Sequence, residues 1–391
     1  MTRDLRMLPA DDPRAVFAAL RDALTGDGPA VLPRQAGAVD AAASSEALPA
    51  TSSVPLPSEV PRNVALVIET SGSTGVPKRV ALSTDALLAS AAASASALGG
   101  AGQWLLALPA HYVAGAQVLV RSIAADTEPA ILPAGHFDPA RFGALAATMT
   151  GEARFVSLVP AQLARLIEAG DDAPTLLALL RRFDGILVGG QSLPAGLRTR
   201  ATELGLRIVT TYGSSETSGG CVYDGVPIGN TRARAVDGRL ELAGAVLAEG
   251  YLGDPRRTAD AFHDDDGLRW YRTGDLGTVE DGRVTVTGRA DNVIISGGEK
   301  VQLDAVEAAV RECDGFEEAV VVAVESAEWG QVPAVAVAVA GSARTSLDAL
   351  REYVVRRLGR AAAPARIQTL DALPMLPSGK PDRVAIGRLL A

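Results

Sequence analysis

The sequence predicts an α/β protein: a large N-terminal domain of layered sheets and helices ending in a β-rich lobe, then a small α+β C-terminal domain. Three observations carry this. Short apolar runs alternate with helical stretches from residue 64 to residue 210. The texture changes near residue 222 to short β runs between glycine turns, and changes again after Arg289. Strand–helix–strand spacing of the first kind argues a mostly parallel sheet covered by helices.

The elements follow in order. Pro13 to Leu24 reads as a short helix with Val16, Leu20 and Leu24 on one face. Residues 35–61 lack periodicity and read as a surface loop or linker. The apolar run Val64 to Ile68 is a buried strand, and Ser83 to Leu98 an Ala-rich helix capped by Ser83 or Thr84 and stopped by Gly99-Gly100. Strands are expected at 104–108, 130–132, 154–158, 185–188 and 206–210, with helices at 113–125, 138–149, 160–169, 174–182 and 194–204. The β lobe takes 238–242, 268–272, 277–280 and 283–287. The last unit holds a helix at 303–312, strands at 317–324 and 332–340, a helix at 346–358 and a Pro-rich tail.

Composition narrows the function classes. At 391 residues the chain exceeds one comfortable core. Apolar residues at 48% and charged residues at 21% support packed domains, and aromatics at only 4% fit α/β layers better than an aromatic-rich sandwich. A net charge of −9 without a basic stripe argues against a nucleic-acid partner. Cys221 and Cys313 are far apart and have no ligand spacing, which argues against a disulfide framework or zinc centre and for a reducing, cytoplasmic compartment. The start, MTRDLRMLPADDPR, has no signal-peptide core, and no 18-residue apolar window predicts a membrane span. Of 37 basic residues only Lys78, Lys300 and Lys380 are lysine, so an ammonium is retained at three places in an arginine-dominated chain.

The segment Thr70-Ser71-Gly72-Ser73-Thr74-Gly75-Val76-Pro77-Lys78 follows a buried strand. Glycines admit close backbone approach, hydroxyls and N–H groups can line a phosphate chain, and Lys78 adds charge. It is not a P-loop, because Val-Pro-Lys follows the second glycine where Lys-Ser/Thr is needed. Downstream stand Tyr212-Gly213-Ser214-Ser215-Glu216-Thr217, Tyr271-Arg272-Thr273-Gly274-Asp275-Leu276, Gly288-Arg289-Ala290-Asp291-Asn292, Gly297-Gly298-Glu299-Lys300-Val301 and Leu376-Pro377-Ser378-Gly379-Lys380. In this order the segments resemble the core motifs of the acyl-adenylate-forming superfamily of acyl-CoA synthetases, peptide-synthetase adenylation domains and luciferases. The resemblance spans about residues 62–391.

The resemblance implies that a carboxylate attacks the α-phosphate of ATP, with Mg2+ present, and that the thiol of CoA then displaces AMP. It assigns the ATP phosphates to Thr70, Ser71, Gly72, Ser73, Thr74, Gly75 and Lys78, with Thr217 at the same nucleotide site. Glu216 becomes the Mg2+ carboxylate. Gly189, Gly190, Tyr212 and Gly213 flank adenine. Asp275 takes the ribose hydroxyls, and Arg289 a second ribose or phosphate contact. Lys380 bridges the attacking carboxylate and the α-phosphate, Asp291 is the hinge, and Lys300 lies on a small-domain loop used for thioester formation. The implied domains are an adenylation domain at 1–290, shortened at its N-terminus, and a mobile lid at 291–391.

For the acid, His111 in Leu108-Pro109-Ala110-His111-Tyr112-Val113-Ala114-Gly115 matches the position that closes on the acyl group. Phe155-Val156-Ser157-Leu158-Val159-Pro160-Ala161-Gln162-Leu163 resembles the Ser-Leu-Val-Pro-x-Gln-Leu signature of the o-succinylbenzoate–CoA ligases of menaquinone biosynthesis. That family's pocket would put Arg121 and Ser157 near the aromatic carboxylate of the diacid; for Arg121 the alternative is an ordinary helix-surface arginine. His136, His263 and Asp264–Asp266 read as solvated loop residues, and both cysteines as small buried or half-buried groups. Another acyl- or aryl-CoA ligase, a carrier-protein-loading enzyme and a non-catalytic adenylate-binding homologue stay open, as does self-association as a homodimer.

Overall fold

The computed structural model describes residues 1–35, 55–70, 78–339, 346–376 and 380–390. The chain divides into two compact units. The first comprises Met1–Ala233, Glu241–Tyr271 and Asp281–Val284; the second comprises Arg234–Leu240, Arg272–Glu280 and Thr285–Ala391.

Two sheets organise the first unit. One runs in the order Gly250–Tyr251, Lys78–Ser83, Val64–Thr70, Ala30–Arg34, Thr2–Pro9, Glu59–Pro61. The other runs Val226–Pro227, Gly219–Tyr223, Ile208–Ser214, Gly185–Val188, Arg154–Leu158, Gln103–Leu106, Ala130–Ile131. Its strands from Ala130–Ile131 to Ile208–Ser214 pair in parallel, as the alternation predicts. Arg154–Leu158 is buried at every residue, the condition of a sheet covered on both faces. One core cluster contains Trp104, Leu106, Phe155 and Leu187; another contains Leu105, Val156, Leu158 and Val188, so alternate residues serve opposite faces.

Local chemistry sets the helix ends. Asp12 accepts from the Ala15 N–H at 3.1 Å and Pro13 opens the helix Pro13–Thr25, which Gly26 closes at φ +88°. Ser83 is the cap of Thr84–Ala97, accepting from the Ala86 N–H at 3.4 Å. A third sheet, of five strands, has the order Arg232–Val236, Arg239–Ala243, Leu268–Glu280, Phe262–Asp265, with Arg283–Arg289 also paired to Leu268–Glu280.

In the second unit a sheet in the order Glu299–Gln302, Val293–Ser296, Gly330–Ala338, Val320–Ser326 carries Ile367–Leu370 in parallel on Gly330–Ala338. Helices Leu303–Arg311 and Leu347–Leu358 bury Val306, Val310, Leu350 and Val354 in its core.

Several expectations are corrected. Thr2–Pro9 is a strand, paired with Ala30–Arg34 and with Glu59–Pro61 inside the segment read as linker; residues 36–54 of that segment lie outside the described residues. The runs 268–272 and 277–280 form one strand, Leu268–Glu280, which passes through Gly274 at φ +76°. The Pro-rich tail contains Ile367–Leu370 and the helix Arg383–Leu390. His263 lies on the strand Phe262–Asp265, its Nε2 3.6 Å from Glu241 Oε2, and is not a solvated loop residue. Lys300 is on the strand Glu299–Gln302 rather than in a loop: Gly297 and Gly298, at φ +57° and +86°, make a two-residue turn that sends the chain straight back.

Candidate active site

In the first unit, Thr70 ends one strand and Lys78 begins the next, and the two are cross-strand partners. The two ends of the segment read from sequence as a phosphate loop therefore lie side by side. Ser71, Gly72, Ser73, Thr74 and Gly75 lie outside the described residues. One pair below, Glu69 faces Arg79 and accepts from Arg34 Nε at 2.8 Å, Arg34 Nη2 at 2.6 Å and Arg79 Nε at 3.0 Å. Burial alone would raise the Glu69 carboxyl, but these two guanidinium groups outweigh it and hold it below its ordinary value.

Lys78 Nζ lies 3.9 Å from Glu216 Oε1 and 5.6 Å from the centre of the Tyr251 ring. Glu216 is buried in the short 3-10 turn Ser215–Thr217. Thr217 shapes that turn: its Oγ1 accepts from the Ser214 N–H at 2.8 Å and donates to the Gly219 carbonyl at 2.8 Å. Gly213 is required here, since a Cβ would come within 2.1 Å of the Gly219 carbonyl oxygen. Tyr251 donates its hydroxyl to Glu216 Oε1 at 2.8 Å; burial, then the charge of Glu216, pushes the phenol pKa up. Nothing in the sequence marks Tyr251 beyond an isolated tyrosine after Gly250.

Gly189 follows the strand Gly185–Val188, and a Cβ there would meet Thr211 Oγ1 at 2.3 Å; Gly190 has φ +80°. Because Thr210 pairs with Val188, this glycine pair and the Tyr212–Gly213 segment end neighbouring parallel strands. That is where open α/β sheets hold ligands, beyond the carboxyl ends of strands.

His111 and Tyr112 stand at the start of the helix Val113–Ala124, their rings 4.1 Å apart. Burial lowers the His111 pKa, and His111 Nδ1 has no partner among the described residues. Gly115 allows the close turn, because a Cβ would sit 2.2 Å from the Pro109 carbonyl oxygen. Farther along this helix Arg121 is buried, its guanidinium 4.7 Å above the Trp104 ring and its Nη2 3.4 Å from Tyr223 Oη. The helix-surface alternative is thereby overturned. Trp104 packs on Phe155, its register partner, at 5.1 Å. Ser157, also buried, lies two residues beyond Phe155 and so shares the sheet face that Arg121 covers.

In the second unit, Arg289 Nη1 lies 3.0 Å from Asp275 Oδ1, and its Nε and Nη2 reach the two oxygens of Asp291 at 3.1 and 3.2 Å. Asp291, then Asp275, hold this guanidinium charged. Lys380 belongs to the same electrostatic neighbourhood: desolvation lowers its pKa most, Arg289 lowers it further and Asp275 opposes them. Much of the side chain still meets solvent. Pro377, Ser378 and Gly379 lie outside the described residues. Lys300 is exposed on its strand opposite Ile295, apart from this cluster.

The described residues hold no group of three or more His, Cys, Asp or Glu side chains suited to a metal. A lone buried carboxylate, Glu216, fits magnesium all the same, since that ion is commonly held by one or two carboxylates together with nucleotide phosphates and water.

Fold and site together define an adenylating enzyme. The chain belongs to the AMP-binding enzyme family, whose model matches residues 10–250, with the AMP-binding enzyme C-terminal domain matching residues 305–380. It is 39% identical over 339 residues to the probable 2-succinylbenzoate--CoA ligase of Mycobacterium tuberculosis strain H37Rv, covering 85% of this chain and 86% of that one. The sulfoacetate--CoA ligase of Cupriavidus necator is 32% identical over 419 residues, covering 97% of this chain and 79% of that one. Among solved structures, o-succinylbenzoate CoA synthetase (MenE) from Bacillus subtilis, in complex with the acyl-adenylate intermediate OSB-AMP, superposes with a TM-score of 0.73 at 23% identity, covering 95% of this chain and 80% of that one. Among the described residues no helix is long and apolar enough to cross a membrane.

Proposed function

We propose that the chain activates o-succinylbenzoate as its acyl-adenylate and transfers the acyl group to CoA, as a cytoplasmic enzyme of menaquinone biosynthesis. The observation that carries this is Arg121. A guanidinium buried in an apolar helix, without an ion pair among the described residues, suits an acid with a second, non-reacting anion. The 39% identity to a probable 2-succinylbenzoate--CoA ligase supports the same reading.

In this reading the aliphatic carboxylate attacks the α-phosphorus of ATP and pyrophosphate leaves. Lys380 neutralises charge that gathers between the two reacting groups. Thr70 and Lys78 bracket the segment that holds the phosphates, with Thr217 shaping the neighbouring turn. Glu216 would hold Mg2+, which when bound screens phosphate charge. Gly189, Gly190, Tyr212 and Gly213 flank adenine, while Asp275 accepts from the ribose hydroxyls with Arg289 beside it. The thiol of CoA then attacks the acyl carbon, the bond to AMP breaks, and Lys300 serves this second step. His111 closes on the acyl group, and Arg121 with Ser157 receives the ring carboxylate. A division at 290, with Asp291 as hinge between an adenylation domain at 1–290 and a lid at 291–391, completes the proposal.

The test is ATP–pyrophosphate exchange with o-succinylbenzoate, its analogue lacking the ring carboxylate, sulfoacetate and a fatty acid, followed by the same acids with CoA. Exchange and thioester formation led by o-succinylbenzoate support the reading. A preference for sulfoacetate or the fatty acid overturns the substrate and leaves the adenylation chemistry standing.

A further inference from the structure

One polar side chain in the first unit has no role in the chemistry above. Gln117 is fully buried, and neither its Oε1 nor its Nε2 has a hydrogen-bond partner among the described residues. A buried amide left unpaired loses its hydration without compensation, so packing alone would be better served by Leu or Met.

Gln117 lies four residues before Arg121, one turn away on the same helix face. Arg121 Nε is likewise buried without a partner. Other buried polar groups of this helix and its neighbours find partners. Ser90 donates to the Ser218 carbonyl at 3.0 Å, Ser218 to the Val246 carbonyl at 2.8 Å, and Ser122 to the Val118 carbonyl at 2.9 Å. Ser94 and Tyr223 pair at 2.7 Å. The Gln117 amide and the Arg121 Nε–H, by contrast, have none among the described residues. Space for the amide comes from Gly219: its φ is +95°, and a Cβ on it would press to 3.2 Å of Gln117 Cγ.

We infer that Gln117 is a specificity-determining residue that, with Arg121, binds the non-reacting carboxylate of a diacid. Its Nε2 donates to the anion beside the Arg121 guanidinium, whose unpaired Nε–H is free for the same anion. An amide supplies a donor there without adding a charge that would itself need a counter-ion. This rests on the proposed role of Arg121.

The experiment measures kcat and KM in ATP–pyrophosphate exchange for o-succinylbenzoate and for 3-benzoylpropionate, which lacks the ring carboxylate. Wild type is compared with Gln117→Met, close in shape and without the amide, and with Gln117→Glu. Gln117→Met is expected to lower kcat/KM for the diacid by about tenfold to a hundredfold, chiefly through KM, and to leave 3-benzoylpropionate within about threefold. Gln117→Glu should weaken the diacid further, because its carboxylate repels the anion and competes for Arg121. An equal loss for both acids means that Gln117 only packs, and an unchanged diacid in either variant means that it touches no anion; each overturns the inference. If Arg121→Ala loses the preference for the diacid while both Gln117 variants keep it, this inference fails and the proposed function stands. If wild type itself shows no preference, both fail.

Discussion

Tyr251 and Glu216 are joined by a 2.8 Å hydrogen bond, with Lys78 Nζ 3.9 Å from the same carboxylate oxygen. A buried carboxylate is thus fixed in direction by a neutral donor and balanced by a nearby cation. Tyr251→Phe removes the donor and keeps the ring that packs on Phe262. We expect a loss of about 1 kcal/mol, roughly fivefold, in kcat/KM for ATP. ATP–pyrophosphate exchange at varied ATP and magnesium checks this, and an unchanged value would mean that Lys78 alone orients the carboxylate.

Lys380→Ala should remove adenylation and spare thioester formation from supplied acyl-adenylate. The loss of one such contact to developing charge costs on the order of 3–4 kcal/mol. The pH dependence follows from the lowered Lys380 pKa. The ammonium is charged below that pKa and lost as pH rises through it, so adenylation should fail on the alkaline side below 10.5, the ordinary lysine value. Separate profiles of the two half-reactions read this directly. Equal losses in both would contradict a role confined to the first step.

Arg121→Ala should lose most of the discrimination between o-succinylbenzoate and the analogue lacking its ring carboxylate. For a buried charge contact the expected effect is about 2–5 kcal/mol in relative kcat/KM. Part of any loss common to both acids reflects the vacated stacking place over Trp104, so the ratio is the quantity to follow.

His111 makes a stability prediction. Burial holds its pKa below 6.5, so the unfolded chain binds this proton first as the solution is acidified. Its contribution to stability is present above 6.5 and lost as pH falls towards the folded-state value. Thermal melts of wild type and His111→Gln at several pH values should therefore diverge below 6.5, with the steeper decline in wild type. Parallel curves would mean that the imidazole is as well solvated folded as unfolded.

The central sheet was legible because its strands are continuous apolar runs and its helices carry local stop and start signals. Val64–Thr70 and Arg154–Leu158 bury every core position, and Ser83 caps where a serine should. Thr2–Pro9 escaped notice because charged residues alternate with Leu5 and Met7, whose partial burial emerges only against a partner strand. The helix Arg383–Leu390 was hidden by the prolines around it, and its burial of Ile386 and Leu390 depends on strands distant in sequence. In the site, Glu216 and Lys78 belong to motifs with local spacing. Tyr251 and Gln117 do not: each is a single polar group whose meaning comes from what the fold brings beside it. Arg121 lies between these cases, since its position is regular but its burial is tertiary.

The two cysteines have a consequence for an enzyme that makes reactive acyl groups. An acyl-adenylate acylates any accessible thiolate, including one belonging to the protein that made it. Cys221 is fully enclosed, and burial pushes its thiol up to about 12; burial and Glu312 raise Cys313 as well. Near neutral pH both remain protonated, weak nucleophiles. The sequence contains no other cysteine. The chain is thereby guarded against labelling itself at cysteine, and an incoming thiol meets no ready thiolate of the protein's own.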